Sequence, residues 1–377
     1  MATQELTHAS VLNIAIPATM RAAVYRGIND VRVETVPVPE IGPGEVLIKV
    51  ATCGICGTDL KKIHTGSHSA PRIFGHETAG TIAAVGEGVT KFSVGDRVMV
   101  FHHVPCGDCF YCRKKTYAQC PVYKPAGVTA GYEPSGGGFA EYVRAMDWIV
   151  RDGGVVRIPD GIPFEQAAFV EPVNTVLKGI KTLNIEPGDT VLVIGQGPIG
   201  ILHAILAQKA GAKVLTSDLY PERHAIAAEY GLTRPIHAGT ENVVERVKAE
   251  TAGRGADMVI LAVGGNALIK TAMQAVRYGG KVLLFAQTQH GDAIFDPADV
   301  CMDEKTLQGS YSSSFDIQPE VEKLVFGGYR NGFDLTRLIS HRFPLERSIE
   351  AIDVASNPSA TSMKIMIEHE TEASGAR

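Results

Sequence analysis

The chain has 377 residues, 45% hydrophobic and 20% charged, with a formal net charge of −5; this length accommodates two ordinary domains and the composition is that of a globular protein. The negative balance argues against a broad nucleic-acid-binding surface. Seven cysteines, an odd number in so long a chain, do not suggest a secreted disulfide scaffold, so a reducing cytoplasm is expected.

The opening stretch predicts neither a membrane span nor a secretory signal. Its apolar run VLNIAIPA (11–18) is short, contains Asn13 and Pro17, and follows a segment whose sole charge is Glu5. From residue 22 to 150 the sequence reads as short strands punctuated by Gly and Pro: VRVETVPVP, EVLIKVAT, TAGTIAAVG and DRVMVF. Apolar and polar residues alternate in several of them, the pattern of a mainly antiparallel, partly open barrel. Near Val173 the pattern changes, and TVLVIG (190–195) is an almost continuous apolar run, as a strand buried on both faces requires. Helices are predicted at PIGILHAILAQKAG, PERHAIAAEYG, ENVVERVKAET and ALIKTAMQAVRYGG. Between and after them come KVLTSD, a short PIHAG, DMVILAVGG, KVLLFAQ and a last strand at TLQGSY (306–311). This alternation predicts a doubly wound α/β sheet. From about Phe315 the mixed character returns, with a helix near 318–327, so the first domain is expected to be interrupted by the second. The polar tail from Glu368 to Arg377 is expected to fray.

GQGPIG places Gly195, Gly197 and Gly200 in G-x-G-x-x-G spacing around Pro198 and Ile199, directly after the buried strand and at the start of a helix. Such glycines allow a tight turn and let a pyrophosphate approach the helix N-terminus, where N–H groups and the dipole favour anions. The motif alone is weak, and a glycine-rich loop that binds nothing is the bland alternative. Its context, with Asp218 standing 18 residues beyond Gly200 at the end of the next strand, favours a dinucleotide. A carboxylate there accepts hydrogen bonds from ribose hydroxyls and repels a 2′-phosphate, which points to NAD over NADP; Arg223, five residues on, partly offsets that repulsion.

Metal-ligand residue types fall in two groups. CGICGTDL (53–60) holds Cys53 and Cys56 in redox-like C-x-x-C spacing, but without thioredoxin-like surroundings, and FGHETAG follows with His76 and Glu77. Cysteine, histidine and carboxylate together suit a zinc ion that keeps an open position. In PCGDCFYCRKKTYAQC (105–120), Cys106, Cys109, Cys112 and Cys120 have the spacing C-x2-C-x2-C-x7-C. A redox centre, a nucleic-acid-binding zinc module and a metal staple are the three readings. The net charge weighs against the second, the lobe clustering only Arg113, Lys114 and Lys115, and the spacing differs from ferredoxin runs.

GICGTD, GHE, the four-cysteine lobe and GQGPIG, in this order and spacing between about Met20 and about His369, resemble the zinc-dependent medium-chain alcohol dehydrogenases, in particular their sorbitol and polyol branch. The resemblance implies a GroES-like, partly open β-barrel catalytic domain over 1–172 and 315–377, with a structural-zinc lobe at about 103–121. It also implies a Rossmann cofactor domain over 173–314. Cys56, His76 and Glu77 become the catalytic zinc ligands, with Cys53 a buried bystander. Where many members carry a third ligand cysteine, this chain has FVEPVNTVLKG. Glu171 stands there, as in the polyol branch, either as a fourth, exchangeable ligand or as the anchor of a water beside the ion; a helix-capping or buried paired acid is the plainer alternative. By the same resemblance Asp59 orients a ligating histidine, Thr58 hydrogen-bonds the substrate oxygen and passes its proton outward, and Thr175 lies near the nicotinamide. Lys61 replaces the relay histidine of many members; His64 is the candidate substitute, or else a surface loop residue. The four-cysteine lobe becomes a closed, structural zinc site, the staple of the three readings.

The implied reaction is reversible, NAD-linked oxidation of a small-molecule alcohol to a ketone or aldehyde. A polyol or sugar alcohol comes first, with L-threonine and simple secondary alcohols as substrates of nearby branches. SYSSSFD (310–316) offers polar groups to a polyol, or is only a Ser-rich hinge. The resemblance further implies a homo-oligomer, dimer or tetramer, that pairs its cofactor sheets edge to edge, and no nucleic-acid or membrane partner. A non-catalytic nucleotide-binding relative would have a broken metal site, whereas each expected ligand position here is filled.

Overall fold

A computed structural model describes residues 16–122, 137–286 and 291–369. Most of the early apolar run and of the C-terminal tail lie outside these residues. No helix among the described residues is long and apolar enough to cross a membrane.

The alternating segments of the first half pair into two sheets. Thr19–Gly27 is central to a three-stranded sheet, flanked by Asp30–Pro37 and Arg72–Ile73. A larger sheet runs in the order Ile339–Pro344, Lys364–Glu368, Val46–Gly54, Glu77–Val85, Arg97–Val100 and Val155–Arg157, with Tyr142–Ala145 also paired to Val46–Gly54. All its pairings are antiparallel except that of its two C-terminal strands. Ile339–Pro344 and Lys364–Glu368 thus complete a sheet begun by strands within the first hundred residues, with the segments of the second sheet lying between them in the chain.

That register converges three strand ends. Gly54 pairs with Glu77 and with Met366, so Cys56 just after one strand, His76 just before the second and Lys364 at the start of the third meet at one end of the sheet. Gly54 is needed there, because a Cβ would run into the Glu77 carboxylate and the Lys364 stem.

The second sheet is parallel, in the order Pro235–His237, Lys213–Asp218, Thr190–Ile194, Ala256–Leu261, Val276–Leu284 and Thr306–Gly309. Thr190–Ile194 and Ala256–Leu261 are wholly buried, as the apolar runs require of central strands covered on both faces. Helices begin where the local chemistry favours it. Pro198 opens Pro198–Lys209 at the position where a missing N–H costs nothing, and the Asn242 side chain caps Val243–Glu250, its Oδ1 accepting from the N–H groups of Val244 and Glu245.

One difference from the sequence pattern concerns ALIKTAMQAVRYGG. The helix is Asn266–Ala275, and Val276–Leu284 is already strand. The helical periodicity runs on into VRYGG, but parallel pairing of Val276 with Ala256 claims that backbone, and Gly279 turns at φ 64°. The helix Val170–Leu183 joins the two halves: its residues share one apolar cluster with Met99 and Phe101 of the barrel half and with Val191 and Val193 of the parallel sheet.

Candidate active site and metal centres

The Cys56 Sγ, a ring nitrogen of His76 and a carboxylate oxygen of Glu77 lie within 4.8 Å of one another, close enough to share one ion. Cys56 is also the N-cap of the helix Gly57–Thr65. Asp59, on the first turn of that helix, is completely buried. Its Oδ2 accepts the Cys56 N–H at 3.1 Å and its Oδ1 lies 3.1 Å from His76 Nδ1. Burial opposes the Asp59 charge most strongly, but His76, Lys62 and the Cys56 N–H together hold the carboxyl below its ordinary pKa. With Nδ1 held by Asp59, His76 presents Nε2 to an ion. Thr58 Oγ1 lies 3.4 Å from that Nε2.

Cys53 faces the other way. It is fully buried, its Sγ lies 3.3 Å from Thr78 Oγ1, and burial pushes its thiol up to about 12. His64 is not in a loop: it lies on the helix Gly57–Thr65 and engages Asn29 Oδ1 at 2.6 Å and Ser356 Oγ at 2.9 Å, away from the ligand group.

Glu171 is buried on the first turn of Val170–Leu183 and stands outside the three-residue ligand group. Burial pushes its carboxyl up to about 7, against the pull of His76 and with a push from Glu77. Thr175 and Lys178 follow it at helical spacing, both partly exposed on the same stripe; Lys178 Nζ donates to the Tyr311 carbonyl at 2.8 Å.

Three further residues belong to this site, although sequence reasoning passed over them. Lys364 is buried, donates to the Ile55 carbonyl at 3.0 Å and forms an ion pair with Glu77. Burial opposes its charge, but Glu77 and Cys56 hold its pKa above the ordinary lysine value. The rings of His102 and His103 lie with centroids 3.6 Å apart and planes tilted by 40°; His102 packs edge-on against His76, and His103 Nδ1 lies 3.7 Å from Glu171 Oε1. Neither the doublet HH before the cysteine lobe nor a lysine in SMKIMIE belongs to a motif that marks it out in the sequence.

In the lobe, the four sulfurs of Cys106, Cys109, Cys112 and Cys120 also lie within 4.8 Å of one another. Cys109 caps the short helix Phe110–Arg113, its N–H points to Cys106 Sγ at 3.4 Å, and its Sγ lies 3.4 Å from Cys112 Sγ. Gly107 takes φ 75°, the left-handed turn this knuckle needs. Four sulfurs and no open position fit a closed zinc site.

The dinucleotide fingerprint folds as a cradle. Gly195 turns at φ 95°, and a Cβ on Gly200 would collide with the Gly195 carbonyl. A Cβ on Gly197, by contrast, would point into open space, where a pyrophosphate fits against the N-terminus of Pro198–Lys209 with its first residues Pro198 and Ile199. Asp218 ends the neighbouring strand. It accepts the N–H groups of Gln196 at 2.7 Å and Tyr220 at 3.0 Å, and Arg223 lies 3.5 Å from its carboxylate.

A barrel half with a cysteine–histidine–carboxylate cluster, beside a parallel sheet with a dinucleotide cradle, defines a metal-dependent dehydrogenase of the nicotinamide-linked class. Residues 42–160 match the alcohol dehydrogenase GroES-like domain and residues 198–326 the zinc-binding dehydrogenase domain. The chain is 31% identical to a sorbitol dehydrogenase of Bacillus subtilis over 93% of its own length and 98% of that protein. It is 32% identical to an L-threonine 3-dehydrogenase of Rhizobium rhizogenes, over 83% of this chain and 88% of that one. The crystal structure of 2R,3R-butanediol dehydrogenase from Bacillus subtilis superposes with a TM-score of 0.78 at 29% identity, covering 93% of this chain and 99% of that one. The chain belongs to the zinc-dependent medium-chain alcohol dehydrogenase family, and it is an oxidoreductase.

Proposed function

We propose that this enzyme oxidises a polyol or sugar alcohol reversibly with NAD, giving a ketone or aldehyde. The observation that carries the reading is the ligand chemistry: Cys56, His76 and Glu77 form the metal group, while the segment facing it supplies Glu171 and no cysteine. Related proteins act on sorbitol, butanediol and threonine, so a hydroxyl beside a second polar group is the shared theme.

In this reading Cys56, His76 and Glu77 hold a catalytic zinc, and the four lobe cysteines a structural one. The zinc supplies Lewis acidity and the nicotinamide a hydride acceptor when bound. Asp59 fixes the His76 tautomer. Thr58 hydrogen-bonds the reacting hydroxyl and receives its proton for export. Glu171 would serve as a fourth, exchangeable ligand or anchor a water beside the ion, and Lys364 balances the charge of Glu77 so that a second carboxylate is tolerated. Gly195, Gly197, Pro198, Ile199 and Gly200 receive the pyrophosphate, Thr175 flanks the nicotinamide, and Asp218 selects NAD over NADP, with Arg223 moderating that preference.

The catalytic domain comprises 1–172 and 315–377, and the cofactor domain 173–314. Thr306–Gly309 is the outer strand of the parallel sheet, with exposed Ile294 and Met302 nearby in the chain; it is the edge on which a second copy pairs in a homodimer or tetramer. All seven cysteines are unpaired, which suits a reducing cytoplasm.

The test is NADH formation across polyols, L-threonine and simple secondary alcohols. Rapid turnover of a polyol that stops on zinc chelation is expected. Turnover confined to threonine or monoalcohols would move the substrate class.

A further inference from the structure

The helix Gly57–Thr65 carries a cation that the assignments above leave unused. Lys62 follows Thr58 by four residues, so it lies on the same helical stripe, about 6 Å further along the axis. The helix ends at Gly66, and the chain returns as Arg72–Ile73, paired with Tyr25 and Val24. This return gathers Lys62, His68 and Arg72 at one corner around Phe74, two residues before His76. Lys62 Nζ stands 5.7 Å from the centre of the Phe74 ring, and the His68 ring meets the same ring edge-on at 6.1 Å. Arg72 is anchored through its Nε, which donates to the Ser69 carbonyl at 2.9 Å.

The charges of this corner are unbalanced. All three residues are half-buried, and neither Lys62 nor Arg72 has a carboxylate within ion-pair distance among the described residues. The acid of the helix, Asp59, is turned to the Cys56 N–H and to His76. Both cations are felt at His68: burial, and after it the charges of Lys62 and Arg72, push that ring down to about 4. The ring is therefore neutral, and the corner keeps two positive charges. Two like charges held around one partly buried ring repel each other, and an anion between them relieves that repulsion through charge-assisted hydrogen bonds. The phosphates of a dinucleotide are already assigned to the cradle at Gly195, Gly197 and Gly200. An anion held here therefore belongs to the molecule whose hydroxyl meets Thr58, one turn back on the same stripe.

We infer that Lys62 and Arg72 form an anion subsite of the alcohol cleft, so that the preferred substrate is a polyol carrying a terminal carboxylate or phosphate. This rests on the polyol reading above. The pair acts on binding and orientation and takes part in no bond-breaking step.

The test measures kcat/KM with NAD for sorbitol, gluconate and sorbitol 6-phosphate in the zinc-loaded enzyme. The wild type is expected to favour at least one of the anions over sorbitol, and which one tells carboxylate from phosphate. In Lys62→Met and Arg72→Met the anion-to-sorbitol ratio is expected to fall about 10- to 100-fold, as loss of a hydrogen bond to a charged group implies. Lys62→Arg, which keeps the charge, should restore most of that ratio. A wild type with no anion preference, or equal losses on anion and sorbitol in both Met variants, overturns the inference. Calorimetric titration of the same three compounds into the enzyme–NADH complex separates the inference from the reading beneath it. Anion binding that the Met variants weaken, in an enzyme that oxidises no polyol, keeps the subsite and overturns the polyol reading. Turnover of sorbitol with neither anion preference nor Lys62-dependent anion binding does the reverse. Neither binding nor turnover overturns both.

Discussion

The two cysteine-containing clusters are built by opposite means. The lobe takes its four sulfurs from residues 106–120, one short local stretch of chain that carries two brief helices, Phe110–Arg113 and Tyr117–Gln119. The other cluster takes Cys56 from a helix cap, His76 and Glu77 from a strand entrance, and their partner Lys364 from the far end of the chain. Hydrogen-bonding capacity differs as well. The lobe presents matched thiols, whereas the second cluster is surrounded by buried ionisable groups (Asp59, Glu171, Lys364) whose charges depend on one another. A local cluster serves stability and can be transplanted with its spacing. A cluster assembled across the sheet can be tuned, because each ligand rests on a different element.

That contrast can be broken from either side. The largest effect is expected for Cys56→Ser: turnover should fall by about 1,000-fold or more, as loss of a metal's several kcal/mol of charge stabilisation implies. Metal analysis should drop from two zinc ions to one per chain, with little change in melting temperature. Cys112→Ser should do the opposite. We expect the same loss of one zinc, a melting temperature lower by about 5 °C or more, and kcat within about threefold for the protein that remains folded, since local metal binding is folding free energy. A Cys112→Ser enzyme with native stability would show that the lobe is not a staple.

Asp59→Asn sharpens the picture of the assembled cluster. Removing the carboxylate from His76 Nδ1 should weaken zinc retention about 10- to 100-fold, measured by competition with a chelator, while the four-cysteine site keeps its affinity. The smallest expected effect lies away from both clusters. His203 is completely buried against Phe285, with neither ring nitrogen partnered among the described residues, and burial pushes its pKa down to about 3. It is neutral when folded and protonates near 6.5 when unfolded. Its contribution to stability is therefore intact above about pH 6.5 and is lost as pH falls from there towards 3. His203→Leu should raise the melting temperature more at pH 5 than at pH 8; an equal shift at both would mean that packing alone decides.

Much of this was legible before any fold was known, and the failures are instructive. Glu171 was marked out by the absence of a cysteine in its segment, and Asp218 by its distance from the glycines. Lys364 escaped because the contact that matters joins a strand near the end of the described chain to one near its start, Met366 with Gly54. His102 and His103 escaped because adjacent histidines have no motif of their own; only the approach of His76 on one side and Glu171 on the other gives them a site. VRYGG was assigned to a helix because periodicity cannot see a parallel neighbour.

What the amino-acid order alone determined is what local geometry controls: the four-sulfur knuckle, the glycine cradle at the end of an apolar strand, and the alternation that sorts barrel from doubly wound sheet. These depend on spacings of a few residues and on backbone freedoms that particular residues permit or forbid. Tertiary structure alone decided which buried charges face one another. Sheet register, not sequence separation, sets those distances, and electrostatic interaction in a dry interior depends on distance above all.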